Sequence, residues 1–223
     1  VDDVFSTFLY TGTGSAITVN NGIDLAGEGG LVWTKSRQSE NHALGDTING
    51  TGKVLLSNSS SSLSTIAQSY TAFNNNGYTI GDDWIVNRNS SYDYASWTFR
   101  KAPGWFTIKK FTGNGTNQTL THDLGCVPGC IMYKNLDSTA HWVVWHRGIS
   151  DSSDKGLALN ETWSEDDDVY FNDTDPTATH FTVGAKSQTN GNGDEIIAYL
   201  FAGGESDAAT ARSVDFDGSD DDL

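Results

Sequence analysis

Short runs rich in apolar residues, separated by turn residues, recur along this chain, and one of them alternates sharply with a period of two. Between Tyr94 and Phe99, Tyr94, Ser96 and Thr98 fall on one side and Ala95, Trp97 and Phe99 on the other. That is the pattern of a half-buried strand. Further short strand runs occupy Val4 to Tyr10, Leu31 to Trp33, Trp105 to Phe111, Cys130 to Tyr133, Phe181 to Val183 and Ile196 to Phe201. Trp142-Val143-Val144-Trp145-His146 is apolar on both faces, which predicts a strand lying between two layers. Turn signals punctuate the runs at Thr11-Gly12-Thr13-Gly14, Asn21-Gly22 and Asn49-Gly50-Thr51-Gly52. Asn74-Asn75-Asn76-Gly77 predicts a hairpin between Tyr70–Phe73 and Tyr78–Ile80. The Ser-rich stretch 57–69, with Leu63 and Ile66 as its large apolar residues, reads as a surface loop with at most one helical turn. No amphipathic helix stands out. Short strands with a turn about every ten residues predict an all-β chain built from β-sandwiches of jelly-roll type.

The runs recur. Tyr10–Gly14 matches Phe111–Gly115, Leu31–Lys35 matches Cys130–Lys134, and His42 matches His141. Gly77–Gly81 matches His180–Gly184, and Tyr94–Phe99 matches Ile197–Ala202, all at an offset near one hundred residues. That period is too long for a solenoid and suits a duplicated module. The expected division is 1–103 and 104–204 as tandem sandwiches, joined at Lys101-Ala102-Pro103-Gly104, with 205–223 as an acidic linker. The alignment sets Trp33 over Met132 and Trp97 over Leu200.

Composition narrows the partners. The chain carries 29 acids against 13 bases, a net charge of −16. The excess is −3 over 1–104, −7 over 105–204 and −6 over 205–223. Such a surface repels nucleic acid and anionic lipid, so no nucleic-acid partner is expected. No apolar run is long enough for a membrane span, so no membrane insertion is expected. Val1-Asp2-Asp3 opens directly into a strand pattern without a signal-peptide profile.

In order, Phe111–Gly115, His122, Leu124-Gly125, Pro128, Ile131, Lys134, Trp142, Val144, His146, Phe181–Gly184 and Ala198–Ala202 form one extended motif. It resembles a repeated domain of tail-fibre and other virion proteins from marine and environmental bacteriophages. The first half resembles the family's other repeat type in Leu31–Lys35, His42, Asp46 and Phe73–Gly81. Cys126 and Cys130 depart from the family, which places Pro or Met there. Ser213–Asp221 resembles the opening strand of laminin-G-like, concanavalin-like sandwich domains. The resemblance implies a virion location on a tail or surface appendage, extracellular in action, as a piece of a longer fibre. It also implies other virion proteins as partners and a homo-oligomer, a trimer by analogy with tail fibres.

Candidate chemistry is sparse. The two cysteines flank Val127-Pro128-Gly129 without further ligands at zinc spacing and read as free thiols. His141 and His146 do not form a metal pair on one strand face. The acidic loops 151–154, 165–168 and 173–175 offer oxygen ligands, and Asp166, Asp167 and Asp168 form the candidate calcium set, without the spacing of a known calcium loop. No other cofactor is indicated. No nucleophile elbow, phosphate loop or dinucleotide fingerprint occurs, and no carboxylate pair is singled out for glycoside hydrolysis. No catalytic residue is therefore assigned. Trp84, Tyr92 and Trp163 sit in polar, loop-like settings and are the candidate binding residues, because loop aromatics stack on sugars or anchor partners. Trp33, Trp97, Trp142 and Trp145 lie in strands and read as core. The expectation is a non-enzymatic virion module for spacing and for adhesion to a host-surface glycan. A carbohydrate-binding module of a secreted enzyme and a depolymerising tailspike are the alternatives.

Overall fold

The computed structural model describes residues 3–89 and 92–204. The Ser213–Asp221 stretch lies outside the described residues. Among the described residues, seventeen strands and two single-turn helices follow one another, and every strand pair is antiparallel.

The first half contributes β1 (Phe5–Thr11), β2 (Ile17–Asn20), β3 (Gly30–Ser36), β4 (His42–Asp46), β5 (Lys53–Leu56), β6 (Ser64–Thr65), β7 (Tyr70–Asn74), β8 (Gly77–Ile80), α1 (Trp84–Asn87) and β9 (Asp93–Arg100). The second contributes β10 (Phe106–Thr112), β11 (Gln118–Thr121), β12 (Pro128–Asn135), β13 (Val143–His146), β14 (Lys155–Ala158), β15 (Asp166–Asp167), β16 (His180–Val183), α2 (Ser187–Asn190) and β17 (Glu195–Ala202). A six-stranded sheet in the order β1-β9-β3-β4-β5-β6 is matched by another in the order β10-β17-β12-β13-β14-β15. A small sheet β2-β8-β7 belongs to the first half, and β11-β16 to the second. The two large sheets thus have the same connectivity.

Side-chain alternation sorts the strands into layers. Val32, Ala43 and Val54 of the first large sheet pack with Val19, Tyr78 and Ile80 of its small sheet. Ile131, Tyr133, Val143 and Leu200 of the second pack with Leu120, Phe181 and Val183. The remaining faces meet each other. Leu31, Leu44 and Leu55 form a third core with Phe106, Ile108, Met132, Trp142, Val144, Ile197 and Tyr199. The molecule is therefore a stack of four sheets with three apolar seams. β13 occupies the position its sequence predicts: Trp142 (just before the strand) and Val144 enter the central seam, while Val143 and Trp145 enter the outer one.

Polar contacts tie the halves across that central seam. Tyr199 Oη donates to buried Asp46 at 2.8 Å, and Trp142 Nε1 donates to the Leu56 carbonyl at 2.9 Å. The Leu63 amide donates to the Leu136 carbonyl at 2.9 Å, and the Ala140 amide to the Ser60 carbonyl at 2.9 Å. The Ser-rich stretch is thus not the plain surface loop its composition predicts. It carries edge strand β6 and docks against the second half. The Lys101–Gly104 joint is a tight turn, with the Ala102 amide donating to the Phe106 carbonyl at 2.9 Å.

Two registers differ from the sequence alignment. Trp33 pairs with Trp97, but Met132 pairs with Tyr199, and Leu200 points into the outer core. Tyr199, not Leu200, is the counterpart of Trp97. Likewise, the His42 and Trp142 amides each donate to an asparagine Oδ1 at 2.9 Å, on Asn58 and Asn160 respectively. Those asparagines donate in turn to Asn41 and His141. Trp142 is the counterpart of His42, and His141 that of Asn41. A one-residue slip reverses the face of every side chain it touches, which is why the anchors alone could not place these pairs.

Candidate functional site

The large sheets do not cover each other completely. Where they part, Trp33, Lys35, His42, Trp97 and Phe99 line a groove of about 390 Å³. It adjoins a second hollow of about 340 Å³, lined by Trp33, His42, Ser57, Asn58, Leu159, Asn160, Glu161 and Thr162. Trp33 and His42 belong to both, so one trough runs from the inner face of the first sheet to the segment after β14 in the second half. Both halves supply its walls.

Strand geometry accounts for the lining. On β3, Leu31, Trp33 and Lys35 point into the central seam, and Val32 and Thr34 point the other way. On β9, Trp97 and Phe99 share the seam face. Ser96 and Thr98 are fully buried on the opposite face, where Tyr78 Oη donates to Ser96 at 2.6 Å and Asn21 Nδ2 donates to Thr98 at 2.9 Å. The polar face of this strand is its buried one. The Trp33 and Trp97 rings meet edge to face with centroids 6.4 Å apart, and Trp33 Nε1 is fixed by Ser57 Oγ at 3.1 Å. Both indoles remain half-buried. Burial, then the charge of Lys35, holds the His42 imidazole below the ordinary histidine range, so it is neutral at pH 7.

The second sheet closes the same positions. Met132, Lys134, Trp142 and Tyr199 stand where Trp33, Lys35, His42 and Trp97 stand in the first, and all are buried. Lys134 Nζ donates to the Ala140 and Ser60 carbonyls at 2.7 and 3.1 Å. Only the first sheet presents an open aromatic face there.

The three loop aromatics do not form one site. Trp84 opens α1 and is half exposed; its carbonyl accepts from Tyr94 Oη at 3.0 Å. Tyr92 lies under the Arg88 guanidinium, 4.6 Å from the ring centroid, and Arg88 is also bonded to Glu40. Trp163 packs edge-on against His141 at 4.7 Å and directly follows the groove residue Thr162. It flanks the trough; Trp84 and Tyr92 belong to a separate cluster around Arg88 and Tyr94.

The proposed calcium triplet also disperses. Asp166 accepts from Tyr170 Oη at 2.7 Å, Asp167 pairs in register with Lys155, and Asp168 is bonded to Lys186. On two-residue β15, Asp166 and Asp167 must point to opposite faces. The acids that do meet are Asp154 and Asp173; their shared hydrogen bond raises the Asp154 carboxyl above its ordinary range, with Asp167 and Asp151 adding repulsion. Among the described residues no group of three or more His, Cys, Asp or Glu could hold a metal ion. Cys126 and Cys130 are free thiols, and burial pushes the Cys130 thiol up to about 11.

Sequence reasoning placed Trp33 and Trp97 in the core and did not mark Lys35 or His42 for binding. A signal was there: Trp33-x-Lys35 and Trp97-x-Phe99 each put large side chains on one strand face. Period two does not say where the facing sheet ends.

With this geometry established, comparison with known proteins adds one fact. Residues 2–208 match the family described as Domain of unknown function (DUF7483). The chain belongs to the DUF7483 family. The DUF7483 match runs across both halves and the central seam. No match is found among curated proteins or among solved structures.

Proposed function

We propose that this DUF7483 chain is a non-enzymatic structural module of a phage tail fibre or similar virion appendage, acting as a spacer and as an adhesin for a host-surface glycan. The observation that carries the adhesive role is the trough at the mouth of the central seam, where two half-buried indoles line one hollow and Trp33 continues into the next beside Asn58, Asn160 and Thr162. An indole face matches the apolar C–H face of a sugar ring, and flanking polar groups take its hydroxyls. The virion assignment rests on the motif resemblance. The shared connectivity of the two large sheets supports an origin by internal duplication.

A shallow single site binds weakly, and a fibre compensates by repetition, which raises effective affinity by about 10²–10⁴. A homo-oligomer therefore fits this role. Three of the four outer edges of the large sheets are protected: β6 and β15 are two residues long, and β10 carries Lys109 and Lys110. β1 is seven residues long, has no charge or proline, and exposes Leu9 at 71%. An edge of that kind supports strand addition between subunits or virion proteins.

A glycan array with the wild-type chain and Trp97→Ala tests the proposal. Binding that the substitution abolishes supports adhesion through the trough. A blank array leaves the spacer role alone. Release of reducing sugar from a bound polysaccharide would overturn the non-enzymatic reading in favour of a depolymerising tailspike.

A further inference from the structure

We infer that the trough selects acidic glycans, with a sugar ring against Trp33 and Trp97 and its anionic substituent on the Lys35 ammonium. This rests on the glycan-binding reading above and adds the chemical class of the ligand.

This chain has few cations, and half of those described are tied to carboxylates. Arg88, Arg100, Lys101, Lys110, Lys155 and Lys186 each have a carboxylate within 4.0 Å, whereas Arg37, Lys53, Lys109, Lys134 and Arg147, like Lys35, have none among the described residues; of these six, Lys35 is the one that lines the groove. With 29 acids for 13 bases, such pairing is easy to arrange. Lys35 has no carboxylate partner among the described residues; its Nζ donates to the Ser36 carbonyl at 3.2 Å. An ammonium has three protons to donate, so one such bond leaves donor capacity over.

The matching lysine of the second sheet sharpens the point. Lys134 is buried and donates to two carbonyls, one from each half, so its ammonium is committed to holding the seam. Lys35 stands at the same register position, pairing with His42 and Ala95, yet lines an open groove together with two tryptophans and a phenylalanine. An apolar lining weakens competition by water and strengthens a charge contact made there. The other titratable group at that end, His42, is neutral, so Lys35 is the charge that a ligand meets.

The adjoining hollow is lined by Glu161 with Asn58, Asn160 and Thr162. Asn160 Nδ2 donates to Glu161 Oε1 at 3.3 Å. The charge that favours an anion thus lines the first hollow and the one that repels it lines the second, so the anionic substituent belongs in the first. The net charge of −16 opposes anionic ligands at long range, and salt screens that repulsion together with the Lys35 contact. A salt titration therefore does not isolate Lys35; matched charged and neutral ligands do.

The test is calorimetric titration of the full chain with four probes of equal length: a uronic-acid oligosaccharide, its methyl ester, a sulfated galacto-oligosaccharide and its unsulfated form. The expected result is at least about tenfold tighter binding of a charged probe than of its neutral twin. Lys35→Met should reduce the charged probe to the affinity of the neutral one, Lys35→Arg should retain the preference, and Trp97→Phe should retain more binding than Trp97→Ala. Circular dichroism of each variant verifies the fold. Tight binding of the uronate alone assigns a carboxylate, and of the sulfated probe alone a sulfate ester. Equal affinity for charged and neutral twins, or an unchanged preference in Lys35→Met, overturns this inference and leaves the glycan reading standing. No binding of any probe by the wild type overturns both.

Discussion

Lys35 and Lys134 occupy matching positions and have opposite fates, one lining a groove and one sealed in the seam. Burial lowers the Lys134 ammonium to about 8. An unfolded chain returns it to about 10.4. Below about pH 8 both states hold the proton, and the folded state bears the cost of a buried charge. As pH rises from about 8 to about 10, the folded protein releases that proton first and the cost is lifted. Buried Tyr70, Tyr78, Tyr133 and Tyr199 are all shifted upward by burial, which lowers stability above the ordinary tyrosine range. The Lys134 effect must be read as a difference: denaturant melts at several pH values should show wild type gaining on Lys134→Met between about pH 8 and 10. A constant difference would mean that Lys134 does not titrate in that window. Tryptophans give a second prediction at this scale. Trp145 is 2% exposed, and Trp145→Ala should cost about 3–5 kcal/mol. Trp163 is half exposed, and Trp163→Ala should cost less than about 1 kcal/mol. The same melts would reveal a reversed order. Trp142 and Trp145 were legible as core because their strand is apolar on both faces. Trp33 and Trp97 were not legible as groove residues, because their exposure depends on the reach of a distant sheet.

The elements were largely readable from alternation, and the two single-turn helices were not, since four residues show no helical period. Each ends in an asparagine that staples a turn. Asn87 Oδ1 accepts from the Thr13 amide at 2.8 Å, and its Nδ2 donates to the Ser15 and Gly81 carbonyls, both at 2.6 Å. Asn190 repeats this with the Asn114 amide at 2.9 Å, the Gly184 carbonyl at 2.8 Å and the Thr116 carbonyl. The glycine-rich turns after β1 and β10 are thereby held against the helices. A Cβ on Gly12 would lie 1.8 Å from the Arg88 carbonyl oxygen, and one on Gly113 2.2 Å from that of Gly191. The repeat anchors in the sequence reflect this close approach as well as turn conformation. Asn87→Ala and Asn190→Ala should each cost about 2–4 kcal/mol, because buried backbone groups lose their partners. Chemical denaturation measures both, and a loss under about 1 kcal/mol in either would show that water replaces the staple.

At the scale of the whole molecule, the halves are joined by a core as extensive as those within them. Leu31, Leu44 and Leu55 are buried in a core built mainly from the second half. A fragment ending at residue 103 should therefore bind a hydrophobic dye and lack a cooperative melt, while the full chain should unfold in one transition. Two separated transitions in the full chain, with a well-folded fragment, would make the halves independent units. The sequence showed a repeat, but a repeat is equally compatible with beads on a string and with a fused stack. What decides between them is which strand faces are apolar on both sides, visible at Trp142–His146 and obscured at Tyr94–Arg100 by the buried Ser96 and Thr98. The fused stack also makes the trough, since neither half alone supplies both walls.

A ligand seated in this trough would slow amide exchange in the strands that line it, which hydrogen exchange with mass spectrometry reads out peptide by peptide. An oligosaccharide that binds should increase protection in peptides covering Trp33–Lys35, His42, Trp97–Phe99 and Leu159–Thr162, leaving those around Trp84 and Tyr92 unchanged. Protection confined to the Trp84–Tyr92 region, or binding without protection at the seam, would contradict binding in the trough.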